Sequence, residues 1–177
     1  MVEFIRKLSQ AREQMPSLDV VSTVELQSLD NAVNNTKREI ATRFDFRSVK
    51  SDISFDRKEK IIHIVSGDEW KVKTVKDILM GQCVRQKVDP KSLDIGKTDT
   101  VSTTIAKTDI HIKEGIPKET GQKIVKYIKS LKIKVQPSIL DNKLRITGKQ
   151  IDDLQEIMRL LTEQDYGVPL QFVNMKS

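Results

Sequence analysis

Two kinds of periodicity succeed one another along this chain, twice in the same order, and that order leaves few folds open. A strand pattern at Leu18–Thr23 is followed, from about Glu25, by a helical stripe of Leu26, Leu29, Val33 and Ile40. The spacing then drops to two. Val49, Ser51, Ile53 and Phe55 alternate with Lys50, Asp52 and Ser54, and the polar segment Asp56–Lys60 turns onto a strand at Ile61–Val65. Asp68 is placed to cap a helix whose buried stripe is Val75, Ile78, Leu79 and Cys83. Asp89–Thr100, with Pro90 and Gly96, reads as a loop or linker, and an extended stretch fills Val101–Lys113.

The second round starts after Pro117. Ile124, Ile128 and Leu131 recur at helical spacing, with Lys118, Lys123, Lys126 and Lys129 turned mainly to water. Ile133, Val135 and Ile139 then alternate with Lys132, Lys134 and Gln136. Asp141-Asn142 makes a two-residue turn, and Leu144 and Ile146 resume the apolar face opposite Lys143, Arg145 and Thr147. A helix with Ile151, Leu154, Met158 and Leu161 and a strand at Leu170–Val173 complete the round, Asp152 and Asp153 suiting the positive end of that helix. The order is βαββαβ twice, at a spacing of about 80 residues, which is the order of the ferredoxin-like unit. The fold class is therefore α+β: a tandem of two ferredoxin-like sandwiches, each a four-stranded antiparallel sheet backed by two helices. Pro137 fits the edge position that this order gives the second strand, since proline cannot donate to a central ladder.

The bulk numbers agree with a globular chain. Of 177 residues, 37% are hydrophobic and 32% charged, too apolar for a disordered segment. No run approaches the roughly 18–20 apolar residues of a membrane span, and residues 1–14 are too interrupted by Lys7 and Arg12 for a secretory core. The single Cys83 excludes an internal disulfide and fits a reducing compartment. A cytoplasmic location with no membrane partner is expected.

Charge is uneven. Lys107–Lys149 holds eleven Lys and Arg against four Asp and Glu, a net +7, while the whole chain carries +6. An anionic ligand, phosphate-bearing first of all, is the expectation. If Ile133, Val135, Leu144 and Ile146 pack on the helices, then Lys132, Lys134, Lys143 and Arg145 share the open face of the sheet. Like charges opposite one another cost roughly 0.2–1 kcal/mol. Four of them without an interleaved acid therefore point to a bound anion, the other reading being a solvated face that discourages edge aggregation. Thr147-Gly148-Lys149, passing from strand to helix, either offers N–H groups to a phosphate or is a plain glycine turn. The predicted ligand residues are Lys132, Lys134, Lys143, Arg145 and Lys149, with Gln171 as a polar contact from the neighbouring strand.

Several other features read as structural. In Arg43-Phe44-Asp45-Phe46-Arg47 the two rings are expected to close the core, with Asp45 pairing an arginine, although arginines presented over aromatic rings are the other reading. Trp70 is expected to be a partly buried anchor. His63 and His111 stand without a partnered carboxylate or Cys at ligand spacing, and Cys83 falls on an apolar stripe, so neither a metal nor a thiol nucleophile is expected. No nucleophile–base–orienter set or phosphate loop emerges, so no catalysis and no cofactor are expected.

Several runs resemble the bacterial YajQ family. They are Met15-Pro16-Ser17-Leu18-Asp19-Val20-Val21-Ser22, Arg43–Arg47, Lys123–Lys126, Leu131–Gln136, Leu144–Lys149, Asp152–Gln155 and Pro169–Asn174. Together they cover nearly all of Met15–Ser177. Met1–Gln14 precedes the family's usual start. The resemblance implies two ferredoxin-like domains with exchanged N-terminal strands: 25–113 as the first, 15–24 plus 114–177 as the second, and 1–14 as an extension. It also implies a non-catalytic nucleotide-binding protein, with a nucleotide or cyclic dinucleotide such as cyclic di-GMP, RNA, or a regulatory protein as partner. The alternative is a protein–protein adaptor whose basic face is only a solvated surface.

Overall fold

Hydrophobic periodicity is converted into two separate cores. A computed structural model describes residues 1–13 and 15–177, for residues 9–13 the backbone alone. Gln14, the last residue of the expected extension, lies outside the described residues. The elements in chain order are α1 (Val2–Glu13), β1 (Ser17–Val21), α2 (Leu26–Thr42), β2 (Asp52–Asp56), β3 (Ile61–Ser66), α3 (Glu69–Arg85), β4 (Leu93–Ile95), β5 (Asp99–Ser102), β6 (Ile105–Ile112), α4 (Lys118–Ser130), β7 (Val135–Leu140), β8 (Lys143–Gly148), α5 (Ile151–Thr162) and β9 (Gln171–Lys176). The chain divides into two compact units, Met1–Thr23 with Glu114–Ser177, and Val24–Lys113.

In the first unit the sheet order is β7-β8-β1-β9, with every neighbouring pair antiparallel. β1, from the start of the chain, is thus an interior strand among strands from its end. Leu18 and Val20 of β1 and Leu144 and Ile146 of β8 point to one face, where Ile124 and Ile128 of α4 and Leu154, Ile157 and Leu161 of α5 cover them. All are at most 1% exposed. β7 is an edge strand, a position open to Pro137 because no second neighbour needs its missing N–H.

The second unit orders its sheet β2-β3-β6-β4, with β5 also paired to β6. Ile53, Ile62, Ile64, Ala106 and Ile110 face α2 and α3, which supply Leu29, Val33, Val72, Val75 and Leu79. Asp68 caps α3 by accepting from the Lys71 N–H at 2.7 Å. Asp52, Asp56, Asp94 and Asp109 stand on strands of this sheet as exposed residues, making its outward face rich in carboxylates.

Two expectations fail for local reasons. The segment read as a loop, Asp89–Thr100, contains β4 and the start of β5; three- and four-residue strands are too short to show a period of two. Lys132 and Lys134 precede β7 rather than lying in it. The chain leaves α4 through Lys132 at φ 56°, the left-handed exit common at helix C-termini, and the ladder begins only at Val135. Lys132 is therefore a turn residue and does not share the sheet face with Arg145.

Because β1 is interior in the first unit's sheet, a chain starting at Val24 is expected to lose hydrogen-exchange protection of β8 and β9 amides while the β3–β6 pair stays protected. Retained protection in β8 would show that the first unit's sheet forms without β1.

Candidate functional site

The open face of the first unit's sheet is not the uniform basic surface that alternation suggests. β1 places Asp19 opposite Arg145 on β8 and Val173 on β9. Its carboxylate is 2% exposed and receives Arg145 Nε at 2.9 Å, Lys143 Nζ at 3.1 Å and Asn174 Nδ2 at 3.1 Å. The interleaved acid whose absence motivated the anion argument is therefore present, contributed by a strand more than a hundred residues away. Lys143 and Arg145 are committed to it. The hydrogen bond from Arg145, with those from Asn174 and Lys143, outweighs desolvation and holds the Asp19 carboxyl at about 2 instead of 3.8.

Gln171 is likewise committed. Its Oε1 accepts from the Thr23 N–H at 2.9 Å and from Thr23 Oγ1 at 2.8 Å, while its Nε2 donates to the Thr23 carbonyl at 2.9 Å. The amide closes the end of β1 and has little capacity left for a ligand. The Gly148 N–H, one of the groups offered to a phosphate in sequence, donates to the Pro16 carbonyl at 3.0 Å. The glycine passage is a structural turn at that atom.

What remains gathers at one end of the sheet. Lys134 and Lys149, with Met15, Val135, Gln136, Thr147 and Gly148, line a surface pocket of about 500 Å³, within the usual size of a small-molecule site. Gln136 and Thr147 are cross-strand partners. Among the described residues neither lysine has a carboxylate partner, and both are exposed. Of the six predicted ligand residues, the structure brings two to this pocket, ties Lys143, Arg145 and Gln171 to β1 or its end, and leaves Lys132 in a turn.

The second unit also departs from expectation. Phe46 is buried, but Phe44 is 81% exposed and Trp70 72% exposed, so neither acts as a core anchor. Asp45 pairs with Arg43 at 2.9 Å, as expected. His63 is not isolated: its Nδ1 lies 2.7 Å from Asp109 Oδ1 across the β3–β6 ladder. Cys83 is fully buried, and burial pushes its thiol up to about 11, leaving it protonated at neutral pH. Among the described residues no three His, Cys, Asp or Glu side chains converge as a metal site, and no helix is long and apolar enough to cross a membrane.

A family described as "Nucleotide-binding protein YajQ-like" matches residues 16–176, from just before β1 to the end of β9. The chain belongs to this family. Nucleotide-binding proteins of Dehalococcoides mccartyi and Oleidesulfovibrio alaskensis are 59% and 52% identical to it, each match spanning 92% of this chain and 99% or 100% of the relative. One of Cytophaga hutchinsonii is 44% identical over the same share. The YajQ-like relatives are named for nucleotide binding and not for an enzymatic activity.

The Asp19 cluster gives a pH-dependent prediction. Above about pH 5 the carboxylate is ionised both folded and unfolded, and its full contribution, roughly 2 kcal/mol for this shift, is present. As pH falls from about 4 to about 2 the unfolded chain protonates first, and the contribution is lost. Asp19→Asn is expected to lower unfolding free energy by about 2 kcal/mol at pH 7, measured by urea denaturation, with the difference closing toward pH 2. A difference independent of pH would contradict the assignment.

Proposed function

We propose that this YajQ-like protein holds a nucleotide by its phosphates at Lys134 and Lys149 without turning it over. The observation that carries this reading is a contrast in pairing: Lys143 and Arg145 share the one carboxylate of Asp19, which balances one of their two charges, while Lys134 and Lys149 at the pocket have no carboxylate partner among the described residues. Two ammonium groups over a pocket of about 500 Å³ suit two phosphates. A cyclic dinucleotide such as cyclic di-GMP is the form we favour, with RNA as the polymeric form of the same chemistry. The relatives' name, nucleotide-binding protein, supports the ligand class. We read each unit as a ferredoxin-like sandwich, the order β7-β8-β1-β9 and its counterpart in the second unit supporting this. The domains proposed are 25–113 and 15–24 plus 114–177. The single buried Cys83 is in keeping with a reducing cytoplasm.

Lys134→Glu with Lys149→Glu is expected to weaken cyclic di-GMP binding by at least about ten-fold, as for loss of charge-assisted bonds, with an unchanged melting temperature because both sites are exposed. Calorimetric titration of the two proteins measures this; equal affinities would remove the pocket as the site. Arg145 is no clean probe, since its substitution strands the buried Asp19. Affinity that falls only shallowly with salt supports the dinucleotide; a steep fall supports RNA, because each neutralised phosphate of a polymer releases counterions.

A further inference from the structure

Aromatic residues of the second unit are sorted in a way that burial alone does not explain. Phe46 is in the core and Phe55 packs against it, yet Trp70 and Phe44 are left in water, each with a cation against its ring. Lys73 Nζ lies 5.5 Å from the Trp70 ring centroid, and Arg47 Cζ lies 5.2 Å from that of Phe44. The two rings belong to one neighbourhood: Lys71 donates to the Asp45 carbonyl at 2.6 Å, tying the Phe44–Phe46 turn to the first turn of α3, where Trp70 sits.

Beside Trp70 is a pocket of about 660 Å³, lined by Glu69, Trp70, Lys73 and Lys76 of α3 and by Lys97 and Thr98 between β4 and β5. Three lysines face one carboxylate there. Lys76 donates to Thr98 Oγ1 at 3.0 Å, and Lys73 is paired with Asp77 at 3.3 Å, both members of that pair being well over half exposed. An ion pair so exposed is worth at most about 1 kcal/mol and yields readily to a phosphate. Lys97 has no carboxylate partner among the described residues. The outward face of the same unit's sheet, with its carboxylates, repels an anion.

We infer that Trp70 is a stacking platform for a nucleobase whose phosphate is held by Lys73, Lys76 and Lys97. An exposed indole set among lysines matches a nucleotide better than a protein partner, because a base supplies a flat π-face and its phosphate the charge, in one small ligand. The ligand's class rests on the nucleotide-binding reading above; the location is independent of Lys134 and Lys149. The base is either that of a free nucleotide or one of a single-stranded nucleic acid.

Trp70 is the only tryptophan in the chain, so its emission reports this site alone. The full chain is titrated with GMP and, separately, with a short single-stranded RNA. Saturable quenching is expected. Quenching by GMP identifies a free nucleotide as the ligand, and quenching by the RNA alone identifies a strand, with an affinity that falls with salt. In the Lys134→Glu with Lys149→Glu background, where only this site is left, anisotropy of the labelled ligand should then show Trp70→Ala weakening binding about ten-fold or more, Trp70→Phe retaining most of it, and Lys97→Ala weakening it less. The variant Lys134→Glu with Lys149→Glu should quench as the parent does. Unchanged emission with both ligands overturns the proposal, as does loss of quenching in the Lys134 and Lys149 variant. Binding that is lost in that variant but never sensed by Trp70 leaves the first site standing and removes this one.

Discussion

Asp19 lies in an interior strand of the first unit's sheet, its carboxylate closed under Arg145, Lys143 and Asn174. A buried carboxylate without such partners would cost several kcal/mol. The cluster therefore demands that β1 stand beside β8 in the register that puts Asp19 opposite Arg145. A slip of one residue would send Asp19 into the apolar layer and Leu18 out of it. The same contact that specifies the register also engages Lys143 and Arg145 and balances one of their two charges.

The remaining basic charge follows from what the acids leave. On the first unit it includes Lys134 and Lys149, at the end of the sheet beyond the reach of Asp19, and the exposed lysines of α4. On the second unit the sheet surface is acidic, and cations collect instead along the first turns of α3 and the segment before β5. Among the described residues the exposed aromatic rings are Trp70 and Phe44 in the second unit and Phe4 on α1, none of them on a sheet face. A ligand bound by charge alone and one bound by stacking are thus suited to different surfaces of this molecule.

Much of this was legible in the sequence. Leu29, Val33, Ile40, Ile124, Ile128, Leu144 and Ile146 are buried where their periods put them, and Asp68 caps α3 as its position before a helical stripe suggests. Alternation also fixed the orientation of Lys143 and Arg145. It says nothing of which strand lies next door, and the neutralising acid came from β1, far away in sequence. The conflict could have been suspected from Asp19 itself, a carboxylate between Leu18 and Val20 in an apolar strand, which needs a cationic partner wherever it is buried. Lys132 was misplaced because a period of two cannot show where a helix exit ends and a ladder begins. Trp70 and Phe44 depart from expectation for a simpler reason: large rings are usually core, and only the packed structure shows a core built with Phe46 and Val72 and without these two rings.

In the proposed division of the basic surface, Arg145 is held by Asp19 while Lys134 and Lys149 meet phosphate. Two-dimensional 1H–15N spectra recorded during a cyclic di-GMP titration test it residue by residue. Progressive shifts are expected at Gln136, Thr147 and Lys149, with the Arg145 Nε–H resonance staying where its bond to Asp19 puts it. Movement of the Arg145 Nε–H with ligand, and still amides at Gln136 and Lys149, would contradict it.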